Sequence, residues 1–108
     1  MAKRMKEKTA KRLEHKDTRP TATARYVRMG APKAKRVLDI IKGKKYNEAC
    51  GILDNTTSTA SLVIKKVLNS AGANAENNMG LNKDDLFVAE AYANQGPSFK
   101  RVSFRGRG

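Results

Sequence analysis

From residue 58 to about residue 77, one face of the chain stays apolar or small for five helical turns. Ala60, Val63, Ile64, Val67, Leu68, Ala71 and Ala75 recur at helical spacing along this run. Such a stripe has to be covered, so the rest of the chain must supply elements that pack on it. The supply is limited. Only 39% of the residues are hydrophobic and there is no Trp. A chain of 108 residues has room for one small domain with a modest core.

Two shorter segments share the helical spacing. Ala34, Val37, Leu38 and Ile41 form one stripe and predict a helix over residues 32–42, with Lys33, Lys35, Arg36 and Asp39 off it. Pro32 suits its first turn, where a missing N–H costs nothing. Gly43 stands where a left-handed C-terminal cap belongs. A short helix is predicted over residues 47–53 with Ala49, Ile52 and Leu53 inward, followed by Asp54-Asn55-Thr56-Thr57 as turn and capping chemistry. Within the long helix, Gly72 costs about 1 kcal/mol relative to alanine. Its neighbours Ala71, Ala73 and Ala75 are also small. This predicts close approach of another backbone or of RNA. Asn77-Asn78-Met79-Gly80 stops the helix.

Residues 21–29 and 86–92 alternate in character and predict two strands. The flanks are different. Residues 1–19 carry eight basic residues and three acids, a net +5, and too little apolar surface to order alone. Pro20 closes any helix there. Residues 98–108 hold Lys100, Arg101, Arg105 and Arg107 with no acid, interleaved with Phe99, Val102 and Phe104, and predict an extended arm.

Overall there are 23 lysines and arginines against 10 acids, a formal net charge of +13. That exceeds what solubility asks for and points to a polyanion, nucleic acid being the commonest. No run approaches the ~20 apolar residues that span a bilayer, and the N-terminal residues lack the apolar core of a secretory signal. Between Lys6 and Arg25 the only large aliphatic residue is Leu13, which argues against a membrane-surface helix. Cys50 is the only cysteine, so no intrachain disulfide forms; a reducing, cytosolic setting and a packing role are expected.

Catalysis has no constellation to stand on. His15 is the only histidine and lies on the N-terminal arm. No Cys/His spacing suits a metal, no glycine pattern cradles a phosphate, and no cofactor is expected. Asp84-Asp85 reads as a polar turn. The cationic chemistry falls in three places: Lys3, Arg4, Lys6, Lys11 and Arg12 in the first arm; Arg25, Arg28, Lys33, Lys35, Arg36, Lys42, Lys44 and Lys45 in the middle; Lys100, Arg101, Arg105 and Arg107 at the end. All are candidate RNA contacts. Phe99 and Phe104 either stack on unpaired bases or pack within a hairpin. Composition alone leaves RNA and DNA both open, and a free-standing DNA-architectural or nucleoid protein is the alternative reading.

Several segments resemble the bacterial large-subunit ribosomal protein twenty-two family. They are Arg25-Tyr26-Val27-Arg28, Lys33-Ala34-Lys35, Asp39-Ile40-Ile41-Lys42-Gly43, and the run from Val67 through Asn69, Gly72, Asn74 and Ala75 to Asn78. Gly96-Pro97 followed by Lys100-Arg101 and Arg105 is similar to the outgoing arm of that family's hairpin. The family's proline at the first helix sits one place earlier. Gly72 replaces a larger aliphatic residue and Phe104 a tip proline.

The resemblance implies an α+β fold: three helices packed on a small antiparallel sheet, with an extended β-hairpin arm and a basic N-terminal tail. The hairpin is expected to be incomplete, because the family's returning strand has no counterpart in residues 1–108. The chain is then either part of a longer one or a short form ordered by RNA. The expected division is a basic arm over 1–20, a globular RNA-binding body over 21–95 and a basic extended arm over 96–108. The resemblance further implies a cytoplasmic, non-enzymatic role in the ribosome. The partners would be 23S ribosomal RNA, other large-subunit proteins, and the nascent peptide near a tunnel tip at Lys100, Arg101 and Arg105.

Overall fold

The computed structural model describes residues 2–107 and is helical. Among these residues there are four α-helices: α1 (Ala2–Glu14), α2 (Ala31–Ile41), α3 (Tyr46–Asn55) and α4 (Thr59–Met79). A single 3-10 turn, Lys83–Asp85, follows.

The long stripe does what its length demands. Helix α4 is the spine on which α2 and α3 both pack. Val37 and Ile41 from α2, Ala49 and Leu53 from α3, Ala60 and Ile64 from α4, and Val88 from the later segment make one buried cluster. Met29, Leu38, Ile52, Leu68 and Ala91 pack around it. Ile41 is only 2% exposed. Burying an aliphatic side chain this fully contributes about 1.5–3 kcal/mol. At the start of α4 the Ser58 hydroxyl accepts from the Ala60 N–H at 3.2 Å. At its end Gly80 takes φ 65°, and its N–H donates to the Ala75 and Glu76 carbonyls. Gly43, at φ +76°, turns the chain out of α2 as its position predicted.

The expected sheet is absent. The described residues contain no strand, only one isolated antiparallel bridge between Lys45 and Phe87. The α+β class, with helices packed on a sheet and a hairpin arm, is therefore corrected to a helical body. Each predicted strand fails for its own reason. Residues 21–29 carry Arg25 and Arg28 on opposite faces, so neither face has enough apolar surface to bury. The segment bends instead: Tyr26 takes φ 58° and the Met29 N–H closes onto the Val27 carbonyl at 2.8 Å.

Residues 86–92 do find a partner, but not a strand. The partner is the α2–α3 loop. Gly43 N–H donates to the Val88 carbonyl at 2.8 Å, Val88 N–H to the Lys44 carbonyl at 2.8 Å, and Tyr46 N–H to the Leu86 carbonyl at 2.9 Å. Beyond Val88 the pairing stops, and Tyr92 is exposed.

Two further expectations change. The N-terminal arm is helical over Ala2–Glu14, because alanine, lysine, arginine, methionine and glutamate dominate it and all favour helix. None of its residues is buried. At Gly72 the close approach within the chain comes from a side chain rather than from another backbone. The Tyr46 ring lies so near that a Cβ at Gly72 would sit 2.7 Å from Cε2 and 2.9 Å from Cζ.

Candidate nucleic-acid interface

The middle cluster is built on the body. In α2 the apolar positions turn toward α4, which leaves Lys33, Lys35 and Arg36 exposed. The loop behind α2 presents Lys42, Lys44 and Lys45, all exposed. Its backbone is pinned by the three bonds to Leu86 and Val88, so these side chains project from a fixed base. Arg25 and Arg28 stand exposed on the bent segment ahead of α2. That segment is anchored at one end by the Asn74 side-chain amide, which donates to the Thr21 carbonyl at 2.8 Å, and at the other by Met29 against the core.

The flanking cations have no such base. Lys3, Arg4, Lys6, Lys11 and Arg12 ride an exposed helix. The first turn of α1 has no acid, and Lys3 and Arg4 oppose the positive end of its dipole. Lys100, Arg101, Arg105 and Arg107 lie on irregular, exposed chain. Phe99 and Phe104 are exposed there too, and the Arg101 guanidinium sits 5.6 Å from the Phe99 ring centre. The structure thus places the three clusters on three separate supports: one packed and two bare.

Most of the paired acids are used elsewhere. Asp54 pairs with Lys65, and Glu76 with Lys83 at 3.2 Å. Arg19 bridges Asp17 at 2.5 Å and Glu90 at 3.3 Å. Its hydrogen bonds hold the Asp17 carboxyl at about 2 and raise its own pKa. Of the cations named from the sequence, Lys42 alone has a carboxylate partner among the described residues, Asp39 at 3.1 Å. The internal neutralisation falls on Arg19, Lys65 and Lys83, and the candidate set stays almost unneutralised.

The Asn- and Ala-rich run of α4 also has a structural task. Asn69 Oδ1 accepts from the Tyr46 hydroxyl at 2.9 Å, Gly72 admits the Tyr46 ring, and Asn74 holds Thr21. Burial pushes the Tyr46 phenol up, with Cys50 and Glu76 adding to it. The sequence signal for Tyr46 was a small-residue gap without a known occupant. Cys50 is half-buried with its Sγ 3.8 Å from Asn69 Oδ1, consistent with a packing residue. Among the described residues no group of His, Cys, Asp or Glu is disposed to hold a metal, and no helix is long and apolar enough to cross a membrane.

Residues 22–108 match the family model described as ribosomal protein L22p/L17e. The chain belongs to the ribosomal protein L22p/L17e family. Large ribosomal subunit protein uL22 of Acetivibrio thermocellus is 54% identical over 87 residues, covering 81% of this chain and 70% of that protein. The uL22 of Clostridium acetobutylicum is also 54% identical over 87 residues, covering 81% and 78%. That of Lachnospira eligens is 50% identical over 93 residues, covering 86% and 73%. The L22p/L17e match takes in the packed body and the C-terminal arm. Helix α1 precedes it.

Proposed function

We propose that the chain is a structural, non-catalytic constituent of the large ribosomal subunit in the cytoplasm, held there by 23S ribosomal RNA. The observation that carries this reading is the exposed cation run from Arg25 to Lys45, on a body of the L22p/L17e family, with only Lys42 neutralised internally. Lysines and arginines placed this way contact phosphates and give affinity that does not depend on base sequence. The N-terminal cations (Lys3, Arg4, Lys6, Lys11, Arg12) and the C-terminal ones (Lys100, Arg101, Arg105, Arg107) extend this surface onto the arms. Family membership favours this reading over a DNA-architectural role. Other large-subunit proteins are the remaining partners. The arm bearing Lys100, Arg101 and Arg105 reaches the nascent-peptide tunnel.

Two measurements test the proposal. The tagged chain should co-sediment with large subunits on a density gradient and leave them as salt rises. Its affinity for a 23S transcript should fall with a slope of about −0.7 to −0.9 in log K against log salt per phosphate neutralised. Sedimentation with chromosomal DNA, or a flat salt response, overturns it. For the tunnel contact, Lys100→Ala with Arg101→Ala should leave helix content intact and change the ribosome's response to a tunnel-binding macrolide or a stalling peptide. Normal assembly with both responses unchanged removes the tunnel contact and leaves the RNA anchoring.

A further inference from the structure

Tyr26 combines two features that the fold does not use. Its backbone takes φ 58°, and it is the only non-glycine residue with positive φ among those described. A bulky residue in this region is an outlier, and holding it there is unfavourable unless the surroundings impose it. The residue is nevertheless 80% exposed and belongs to no part of the core. The core gains nothing from tyrosine at this position.

The surroundings show what holds the bend. The short bond from Met29 N–H to the Val27 carbonyl tightens the turn just after Tyr26. Asn74 fixes the segment upstream at Thr21, and Met29 fixes it downstream on the core. An exposed aromatic therefore stands on a segment tied at both ends. Arg25 and Arg28 flank it, both exposed and neither within ion-pair range of an acid among the described residues. No cation of the described residues lies over the Tyr26 ring, unlike those of Tyr46 and Phe99.

We propose that Tyr26 is a base-stacking residue: its ring receives one unpaired nucleobase while Arg25 and Arg28 take the adjoining phosphates. The proposal rests on the RNA-binding reading above and adds the chemical class of its contact. An exposed aromatic with an exposed cation on either side of it in the chain suits single-stranded or looped RNA, since every base has a π-face and every linkage a charge. Pre-setting the ring outside the surface removes part of the ordering cost at binding.

The test uses the full chain and two probes, a 23S domain transcript with unpaired loops and a fully paired RNA duplex of equal length. Tyr26→Ala should weaken binding to the looped transcript about 5- to 150-fold, the equivalent of about 1–3 kcal/mol for one stacked base. Tyr26→Phe should restore it. The salt slope should not change, because no charge is lost. On the duplex, Tyr26→Ala should have no effect. Tyr26→Gly should leave the free protein's Tm unchanged or raise it, since glycine accepts positive φ. Affinity of Tyr26→Ala for the transcript within twofold of wild type overturns the stacking contact, as does an equal loss on both probes. A Tm drop of several degrees in Tyr26→Gly also overturns it, by showing that the ring supports the fold. If Arg25→Ala with Arg28→Ala weakens binding and lowers the salt slope while Tyr26→Ala does nothing, RNA binding stands without stacking. Failure of the wild-type chain to bind either probe overturns the RNA reading itself.

Discussion

The body and the N-terminal helix are both helical, yet they are held by different forces. Helices α2, α3 and α4 bury one another's apolar faces, and Ile41 is 2% exposed. Helix α1 buries nothing, and Leu13 is 63% exposed. A 13-residue helix with no packing is marginal in water even when its residues favour helix. The body thus owes its order to tertiary contacts. The α1 segment owes its order to local propensity, with charge that a polyanion would complement. Helix content alone does not distinguish the two; burial does.

The largest effect that tests this difference is truncation in each region. Ile41→Ala should destabilise the body by about 2–5 kcal/mol, the range for emptying a buried aliphatic site. Leu13→Ala should stay within about 0.5 kcal/mol, as for an exposed position. Urea unfolding followed by far-ultraviolet circular dichroism gives both values. A loss above about 1 kcal/mol for Leu13→Ala would show that α1 packs on the body.

A smaller effect is expected where Tyr46 meets α4. Gly72→Ala adds a Cβ 2.7 Å from the Tyr46 ring, and overpacking of this kind costs about 1–3 kcal/mol. Helix propensity returns about 1 kcal/mol of that. The net should be a loss of up to roughly 2 kcal/mol. In a Tyr46→Ala background the ring is gone, and the same change should become neutral or stabilising. A double-mutant cycle measures the coupling. Additive losses would mean that Gly72 matters for some reason other than the ring.

How much was readable in advance follows the same division. The stripes of α2, α3 and α4 were legible because helical burial is a local periodicity. Ala49, Leu53, Ala60, Ile64, Val37 and Ile41 all lie inside as their spacing required. The strands were not, because alternation states only that a segment is extended and not whether a partner exists. Residues 86–88 paired with 43–46, a loop and the first residue of α3, whose sequence has no strand pattern. Gly72 announced a close approach, but spacing within one helix cannot name a contact 26 positions away. For the interface, the cations were legible as a list. Which of them the fold neutralises was not, since the ion pairs of Asp54 and Glu76 join residues brought together only by packing.

Alkaline pH should sharpen the view of Tyr46 further. Its folded pKa is raised, chiefly by burial, above the usual value near 10. The native state therefore keeps its proton longer than the unfolded state does. Stability from this group is fully present below the unfolded pKa and is lost as pH rises through the folded one. Wild type should lose more stability than Tyr46→Phe as pH rises above about 10. Parallel curves for the two proteins would place the phenol in water rather than against Asn69 and Gly72.

The smallest effect is expected at the one ion pair that, among the described residues, links the N-terminal region to the body. Arg19 reaches Glu90 at 3.3 Å, with both side chains half-exposed or more. Exposed pairs of this kind are worth about 0.2–1 kcal/mol, less in salt. Glu90→Gln should therefore shift Tm by no more than a degree or two, while Arg19 keeps its bonds to Asp17. Removing residues 2–19 should be just as mild for the melting of residues 20–108, because α1 leaves no apolar surface uncovered when it goes. The same deletion should lower the salt slope of RNA binding, since it takes eight cations with it. A large drop in Tm with an unchanged salt slope would invert the comparison, making α1 part of the fold and not of the interface.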